Sequence, residues 1–318
     1  MGEEILRLNY LLKEKILRLL PKPDKYATKI KGLFLSRRED VNKADSCFGK
    51  ASVAIVIQGA RCAVIGAKEY RYGENQCLVT GVDMPSAFYI VNPSHEKPFL
   101  AISLDLDIYL LSQLISEISS PSSKSDETCH SVSVAKAETD VLSAFLRLIE
   151  LLDKPEQIPV LAPMIIREIH YLLLIGSQGK SLRQISTVGT QSNKVYQAVL
   201  WLKNNYKASL KIEELAYLVN MATSTFHHHF KVVTGLSPLQ YHKRLRLYEA
   251  QRLMIVEGQS AGGAANAVGY ESETQFNREY KRLFGEPPHR DVAEKRQLIH
   301  CYSPNLKTEV KRSSNIAI

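Results

Sequence analysis

One local pattern occurs twice in the second half of the chain, fifty residues apart. The first copy reads Phe226, Phe230, Lys231, Gly235 and Pro238, and the second reads Phe276, Tyr280, Lys281, Gly285 and Pro288. Two aromatic residues one helical turn apart, a Lys, a Gly and a Pro keep the same offsets in both copies. Self-similarity at a fixed spacing indicates a repeated supersecondary unit. This region is therefore expected to build one small structure twice.

A short segment with helical periodicity precedes each copy. Residues 212–219 and 261–268 carry the periodicity, and each segment is followed by a break, at 220–222 and at 269–270. A small residue in each segment, Ala216 or Ala265, would let two helices cross closely. A short helix, a tight turn and a second helix is the pattern of a helix-turn-helix, and the chain is predicted to contain two.

The second helix of each unit is predicted to have one buried and one exposed face. Phe226 and Phe230 face the core in the first copy, and Phe276, Tyr280, Leu283 and Phe284 do so in the second. The outward side chains suit double-stranded DNA, because Arg pairs with guanine, Gln or Asn pairs with adenine, and Lys binds phosphate. The predicted base-reading residues are Ser224, His227, His228, Thr274, Gln275, Asn277 and Arg278, and the predicted phosphate contacts are Lys231, Lys281 and Arg282.

A long helix is predicted between the two units, over residues 237–256. Ser237 before Pro238 is a typical helix start, and Gly258 follows its end. Roughly twenty residues at ~1.5 Å each give a rod of ~30 Å. That length is close to the ~34 Å between successive major-groove faces of B-DNA, so one monomer could read two grooves in a row.

The same region resembles the DNA-binding domain of AraC-type transcription regulators. The resemblance is carried by Ser-Pro-Leu-Gln-Tyr-x-Lys-Arg-Leu-Arg-Leu-x-Glu-Ala-x-Arg-Leu at 237–253 and by Val-Gly-Tyr-Glu-Ser-x-x-Gln-Phe-x-Arg-Glu-Tyr-Lys-Arg-x-Phe-Gly-x-Pro-Pro at 268–288. It implies an effector-responsive regulator, more commonly an activator that works with RNA polymerase, and implies base-reading roles for Ser224, His227, His228, Thr274, Gln275 and Arg278. One departure is Lys211, where many members have a Ser or Thr cap.

Charge and cysteine content agree with a DNA-binding protein of the cytoplasm. Residues 200–318 hold 17 basic and 11 acidic side chains, whereas residues 1–199 hold 24 and 22, so most of the chain's net charge of +8 lies in the second half. The five cysteines form no CxxC pair, and the chain has no signal peptide and no uninterrupted apolar run of about 18 residues. Cys62 and Cys77 are candidates for a redox sensor, against the alternative of small buried apolar residues.

The first half predicts a β-domain. Seven short apolar segments between residues 32 and 102 are separated by turn residues such as Gly59, Gly66, Gly73 and Asn92, which is typical of a small barrel or sandwich. Before them, residues 3–20 are predicted to form an amphipathic helix. Its apolar face either packs on its own domain or forms a dimer interface. Gln58, Gly59, Arg61 and Gly66, with the Tyr70-x-Tyr72 turn, resemble the cupin-type sensor of an AraC subgroup.

A small barrel has room for one small-molecule effector at its mouth. The candidate effector-binding residues are Gln58, Arg61, Tyr72, Phe88 and Tyr89, with ordinary barrel packing as the alternative for each. His95, His130 and His170 are far apart in sequence and include no His-x-His pair, so no bound metal or other cofactor is predicted. The sequence also has no nucleophile elbow and no phosphate-binding loop, so no enzymatic activity is predicted.

Three apolar helices are predicted after the barrel, at 105–118, 136–152 and 159–175, with a mobile polar connector at 119–126. The stretch at 161–173 also matches the subgroup. Members often dimerise through such helices, and packing on the sheet of the same monomer is the alternative. A homodimer is therefore one expected partner and a membrane is not.

The predicted class is α+β: a cupin-like β-barrel with flanking helices, then an all-α domain of two helix-turn-helix units joined by a long helix. The predicted domains are 1–185 and 190–295, with a disordered tail at 303–318. The tract at His227 to His229 is not predicted to bind a metal, since consecutive helical residues splay by about 100° and cannot converge on one ion. His227 and His228 are predicted to contact DNA, and His229 to support the helix from its side. The rival functions are a cupin-type metalloenzyme fused to a DNA-binding domain and a low-specificity architectural DNA protein.

Overall fold

The computed structural model describes residues 2–40, 45–66, 68–118 and 129–302. The predicted connector at 119–126 and the predicted tail at 303–318 lie outside the described residues. The strands are β1 Asp24–Ala27, β2 Leu33–Arg38, β3 Asp45–Gly49, β4 Ser52–Gln58, β5 Ala60–Ile65, β6 Lys68–Gly73, β7 Gln76–Thr80, β8 Met84–Val91, β9 Phe99–Asp105 and β10 Val132–Lys136. The helices are α1 Gly2–Leu19, α2 Ile108–Glu117, α3 Thr139–Glu150, α4 Ile158–Ile175, α5 Gly179–Ser186, α6 Gln191–Asn204, α7 Ile212–Leu218, α8 Thr223–Thr234, α9 Pro238–Val256, α10 Ala261–Ala267, α11 Glu273–Phe284 and α12 Pro288–Tyr302.

The strands form two antiparallel sheets, which together make a β-domain. The order is β1-β2-β9-β4-β7-β10 in the six-stranded sheet and β3-β8-β5-β6 in the four-stranded sheet. Helices α1 to α5 accompany the β-domain, and the region that follows is helical, which confirms the predicted α+β class.

The main hydrophobic core lies between the six-stranded sheet and the helices beside it. Ile55 on β4, Ile102 on β9 and Phe145 on α3 are fully buried in it. Helix α1 contributes Leu12 and Ile16. The predicted stripe on α1 therefore packs on its own domain, because that face would otherwise leave large apolar side chains in water.

The region after α2 differs from the predicted helix at 136–152. Residues 132–136 form β10, which pairs with β7 from Val132↔Thr80 to Lys136↔Gln76, and α3 begins only at Thr139. Similarly, β9 continues to Asp105, and Asp107 caps α2 by accepting hydrogen bonds from the main-chain N–H groups of Tyr109 and Leu110. The predicted helices began three residues too early, because they included the last strand residues, Asp105 and Lys136, and the N-cap residues, Asp107 and Glu138.

Helix α4 has two apolar faces. Ile169 and Leu174 are buried in the core, whereas Val160 is 66% and Met164 is 64% exposed. By length and composition alone the segment Pro155–Ile175, with a mean hydropathy of 1.7, is long and apolar enough to cross a membrane. One such helix is weak evidence for a membrane protein, because core helices of other proteins share these properties.

The described residues group into two compact units. The first contains the described residues up to 204 and those from 210 to 241, and the second contains residues 205–209 and the described residues from 242 onward. The first helix-turn-helix, α7 and α8, thus belongs to the same compact unit as the β-domain. The predicted domain boundary between residues 185 and 190 stays a prediction.

Candidate nucleic-acid interface

The first helix-turn-helix consists of α7 and α8. The turn between them places Asn220 in the left-handed region with φ +53°, and the main-chain N–H of Met221 donates to the carbonyl oxygen of Ala216. Ala216 is 1% exposed, so the small side chain lies where the helices meet, as predicted. The sequence thus forms the expected pair of helices.

Helix α8 has the predicted division into two faces. Phe226 and Phe230 are fully buried, with ring centroids 5.4 Å apart. The opposite face exposes Ser224, His227, His228 and Lys231. His229 is half-buried beside His228, with the two ring centroids 5.2 Å apart.

The second helix-turn-helix consists of α10 and α11. Its turn passes through Gly269 at φ +85°, where a Cβ atom would lie 2.4 Å from the carbonyl oxygen of Lys207. Only glycine meets both requirements. Ala265 is 2% exposed at the crossing of the two helices, in the same role as Ala216.

Helix α11 has the predicted buried pair, since Phe276 and Tyr280 are fully buried. Its exposed residues are Thr274, Gln275, Arg278, Lys281 and Arg282. Asn277 is half-buried rather than fully outward. Leu283 and Phe284 are half-buried rather than fully buried, and both pack against the same hydrophobic cluster as Phe276 and Tyr280.

The two helix-turn-helix motifs differ in how the N-terminal ends of their helices are capped. In the second unit Ser260 caps α10 and Ser272 caps α11, each accepting a main-chain hydrogen bond on its hydroxyl oxygen. In the first unit the cap positions are Lys211 and Ala222, and neither makes a side-chain cap hydrogen bond. The departure at Lys211 therefore leaves α7 without a side-chain cap, and Ala222 leaves α8 without one.

Helix α8 of the first unit is instead held at its C-terminal end by the β-domain. His130 Nδ1 donates to the carbonyl oxygen of Val232 at 2.8 Å. The hydroxyl of Ser131 donates to the carbonyl oxygen of Val233 at 2.5 Å. Gly66, in the β5–β6 turn, lies so close to Gly235 that a Cβ atom on Gly66 would be 2.8 Å from the Gly235 carbonyl oxygen. The last carbonyl groups of a helix lack partners within it, so these contacts satisfy part of the helix end.

A cavity of about 350 Å³ lies beside these contacts, within the first compact unit. Its walls are mainly apolar, with Ile65, Val132 and Val232 among the lining residues. Lys68 and Lys231 also line it, and the Lys68 ammonium lies 3.0 Å from Nε2 of His130. The cavity combines an apolar wall with cationic groups, a combination that the sequence did not predict.

The five predicted effector-binding residues lie elsewhere on the β-domain and do not line this cavity. The amide of Gln58 donates to the carbonyl oxygen of Pro98 at 2.7 Å, and the guanidinium of Arg61 lies 3.7 Å from the ring centroid of Phe88. Tyr89 donates to Glu69. Tyr72 is 1% exposed, burial raises its pKa, and its hydroxyl has no hydrogen-bond partner among the described residues.

The candidate sensor cysteines are buried thiols. Burial raises the pKa of Cys62, whose thiol also donates to Glu69 at 2.7 Å. Burial likewise raises the pKa of Cys77 to about 11. Because the thiolate is the reactive form, both favour the alternative of small buried residues.

The histidines of the first half are not brought together. His170 is fully buried in α4, where Nδ1 donates to the carbonyl oxygen of Ile166 and Nε2 accepts from the main-chain N–H of Asp107. His95 lies 2.7 Å from Glu39, and His130 contacts α8. Within residues 2–40, 45–66, 68–118 and 129–302, no group of three or more His, Cys, Asp or Glu side chains is placed to hold a metal ion.

Comparisons with known proteins match both halves of the chain. The family model described as "AraC-type transcriptional regulator N-terminus" matches residues 29–181, and the model described as "Helix-turn-helix domain" matches residues 215–292. The "HTH-type transcriptional activator RhaS" of Pectobacterium carotovorum subsp. carotovorum (strain PC1) is 30% identical over 105 residues, and that of Yersinia pestis (strain Pestoides F) is 32% identical over 98 residues. These matches cover 33% and 31% of this chain, and only 38% and 36% of the two relatives.

Solved structures show the same fold over most of the chain. Apo ToxT K231A from Vibrio cholerae strain SCE256 has a TM-score of 0.57 at 11% identity, covering 84% of this chain and 98% of that chain. Wild-type ToxT from the same strain, bound to an unsaturated fatty acid, has a TM-score of 0.55 at 9% identity, covering 85% and 97%. At this identity the likeness shows the fold alone. With family models matching both the N-terminal region and the helix-turn-helix region, the chain belongs to the AraC-type transcriptional regulators, which are DNA-binding proteins and not enzymes.

Proposed function

We propose that the protein is a sequence-specific transcription regulator whose α8 and α11 enter two successive major grooves. The observation that carries the proposal is that each helix buries two aromatic residues one turn apart and exposes a hydrogen-bonding face opposite them. Helix α9 supports it, because 19 residues at ~1.5 Å each span ~28 Å, near the spacing of adjacent grooves.

The exposed side chains are proposed to contact either bases or phosphates, according to their hydrogen-bonding groups and charge. Arg278 carries two parallel donors that match guanine, and Gln275 carries a donor and an acceptor that match adenine. Ser224, Thr274 and the half-buried Asn277 add neutral hydrogen-bonding groups. In the first unit His227 and His228 have the base-reading role. Lys231, Lys281 and Arg282 contact phosphates and provide affinity without sequence information.

Random-site selection with the full-length protein at physiological salt tests the proposal. We expect two short motifs centred about one helical turn apart. Arg278→Ala should relax one base pair of one motif and cost about 1–3 kcal/mol of binding free energy. A featureless selection with and without effector would favour the architectural alternative instead.

The cavity beside α8 is proposed as the effector site. Its apolar walls and the ammonium groups of Lys68 and Lys231 fit an apolar ligand with one carboxylate, and a ToxT structure holds an unsaturated fatty acid. Lys231 is also a proposed phosphate contact, so a bound carboxylate would compete with DNA for the same ammonium group. The five residues predicted from sequence, Gln58, Arg61, Tyr72, Phe88 and Tyr89, remain the alternative effector site.

Calorimetric titration with oleate below its critical micelle concentration tests this assignment. Lys68→Met should weaken binding of oleate, because it removes one cation from the cavity. Lys50→Met is the matched control, since Lys50 pairs with Asp105 outside the cavity. Equal affinities for the two variants would argue against the cavity.

Activation, RNA polymerase as a partner and a cytoplasmic location are also proposed. The matched relatives are named transcriptional activators, and DNA and polymerase occupy the same compartment in bacteria. The matching region covers little more than a third of those relatives, so their activity is carried over only as a proposal. Transcription from a promoter that contains the selected motifs, reconstituted with purified polymerase, would give the sign of regulation.

A homodimer is proposed through the outer face of α4. That face exposes Val160, Met164 and Ile175, the last 52% exposed, and an isologous contact with a second copy would bury them. Met164→Glu should lower the molar mass measured by light scattering from the dimer value to the monomer value. Ser116→Glu, at an exposed polar position on α2, is the control and should leave the mass unchanged.

A further inference from the structure

The proposed base-reading residue Gln275 is held by a second residue of its own helix. Nε2 of Gln275 donates a hydrogen bond of 3.1 Å to Oε1 of Glu279, one turn further along α11. Gln275 is exposed and Glu279 is half-buried. An exposed glutamine usually samples several rotamers, so a fixed neighbour is needed to keep this one in place.

Glu279 is such a neighbour, because two further groups fix its carboxylate. The hydroxyl of Tyr270 donates to Oε2 at 2.9 Å, and the ammonium of Lys243 donates to Oε1 at 3.0 Å. Burial raises the pKa of Glu279, but the hydrogen bonds from Gln275, Lys243 and Tyr270 outweigh it and hold the pKa below its ordinary value. The carboxylate is therefore ionised at neutral pH.

Tyr270 is itself anchored in the second compact unit. Its ring is buried against Phe276, with centroids 5.3 Å apart, and the guanidinium of Arg246 lies 6.0 Å from its centroid. Arg246 in turn donates to the carbonyl oxygens of Tyr206 and Lys207. A chain of contacts therefore runs from the core of this unit to the exposed amide of Gln275.

The ionised carboxylate determines which way the amide faces. A carboxylate has acceptors only, so it takes the NH₂ group of Gln275 and excludes the carbonyl oxygen from the same position. The carbonyl oxygen Oε1 of Gln275 then points away from Glu279, and the second N–H of its NH₂ group stays available. The amide presents one acceptor and one donor in a fixed order.

We propose that Glu279 is a positioning residue that locks the amide of Gln275 in the orientation that selects adenine. In the major groove adenine presents the N6 donor beside the N7 acceptor, whereas guanine presents two acceptors, O6 and N7. The locked amide matches adenine at both atoms and would place Oε1 against O6 of guanine. The inference rests on the proposed function, since it requires α11 to read bases.

Random-site selection with a set of variants tests the proposal. Gln275→Ala identifies the base pair that Gln275 reads. Glu279→Met removes both acceptor oxygens at similar length, and Glu279→Gln keeps one oxygen that Lys243 and Gln275 can share. Glu273→Met is the matched control, an identical change at an exposed position on the same helix.

We expect adenine at the position that Gln275→Ala identifies, and a fall of about tenfold in that preference for Glu279→Met. Glu279→Gln should retain most of the preference, and Glu273→Met should leave it unchanged. The remaining positions of the motif and the thermal unfolding midpoint should be the same for Glu279→Gln and wild type. If Glu279→Met does not fold, the double variant Lys243→Met with Glu279→Met leaves no unpaired charge and makes the same test.

The proposal is overturned if Glu279→Met keeps the full preference, if the preferred base at that position is not adenine, or if Gln275→Ala changes no position. Failure of the proposed function is distinguishable. In that case the wild-type protein selects no motif, or Arg278→Ala leaves every position unchanged, whatever the Glu279 variants do.

Discussion

The hydroxyl of Tyr241 donates a hydrogen bond of 2.6 Å to the main-chain carbonyl oxygen of Asp83. Tyr241 is fully buried, and its ring lies 5.5 Å from that of Phe230 on α8 and 5.5 Å from that of Phe48 on β3. The residue thus joins the start of α9 and the first helix-turn-helix to the β-domain, within the first compact unit.

Tyr241→Phe should lower the free energy of unfolding by about 1–2 kcal/mol, because it leaves the carbonyl oxygen of the half-buried Asp83 without this donor. Urea denaturation measures the change. Tyr217→Phe is the matched control, since Tyr217 is 83% exposed and its hydroxyl is solvated. Equal stability of the two variants would contradict a structural role for the hydrogen bond.

Gly66→Ala should release the C-terminal end of α8 from the β-domain. The new Cβ atom would lie 2.8 Å from the carbonyl oxygen of Gly235, in addition to the strain of φ +64°. Gly189→Ala separates the steric clash from the backbone strain, because Gly189 also has a positive φ, +89°, but nothing lies within 4 Å of a Cβ atom there. Hydrogen exchange of the α8 amides should accelerate in Gly66→Ala and stay at the wild-type rate in Gly189→Ala.

Because of His242, the free energy of unfolding should decrease as the pH falls below neutrality. Burial, with the nearby charge of Arg246, lowers its pKa from 6.5 to about 4, while its ring donates to the carbonyl oxygen of Tyr206. The unfolded chain binds the proton more tightly, so this stability is complete above pH 6.5 and is lost as pH falls towards 4. The loss is on the order of 3 kcal/mol.

Thermal unfolding between pH 7.5 and 4 measures this dependence. His242→Gln keeps a donor but does not titrate, so its stability should fall less over the same range than that of wild type. His289→Gln, at an exposed histidine of the same compact unit, should follow the wild-type curve. A wild-type slope in His242→Gln would assign the dependence to other groups.

Lys281→Ala should weaken DNA binding evenly across sequences. Loss of one phosphate contact reduces the slope of log affinity against log salt concentration by about 1 and leaves the selected motif unchanged. Lys154→Ala removes an equally exposed lysine beside the core of the β-domain and should not alter the slope. A changed motif in Lys281→Ala would instead give Lys281 a base-reading role.

The helical repeat was predictable from sequence because it depends on local periodicity. Phe226, Phe230, Phe276 and Tyr280 are fully buried as predicted, since a spacing of four residues places both aromatics of a helix on one face. Gln275 and Glu279 have the same spacing, so their contact could also have been inferred. The roles of Tyr270 and Lys243 could not, because Tyr270 lies in the turn before α11 and Lys243 lies on α9.

Features that depend on distant residues were missed. Strand β10 pairs with β7, which lies far away in the sequence, so its pairing has no local signal. Ser131 contacts Val233 across a separation of 102 residues, and neither residue type signals such a contact. The cavity beside α8 depends on the same long-range contacts, so no local sequence pattern indicates it.

The helices of the first helix-turn-helix have no side-chain N-caps, and this has a consequence for folding during synthesis. The ribosome completes residues 60–132, which supply the partners of Val232 and Val233, before α8 is made. The first unit can therefore fold onto a surface that already exists. The second helix-turn-helix contains its own Ser260 and Ser272 caps, and we expect both of its helices to begin from these local signals.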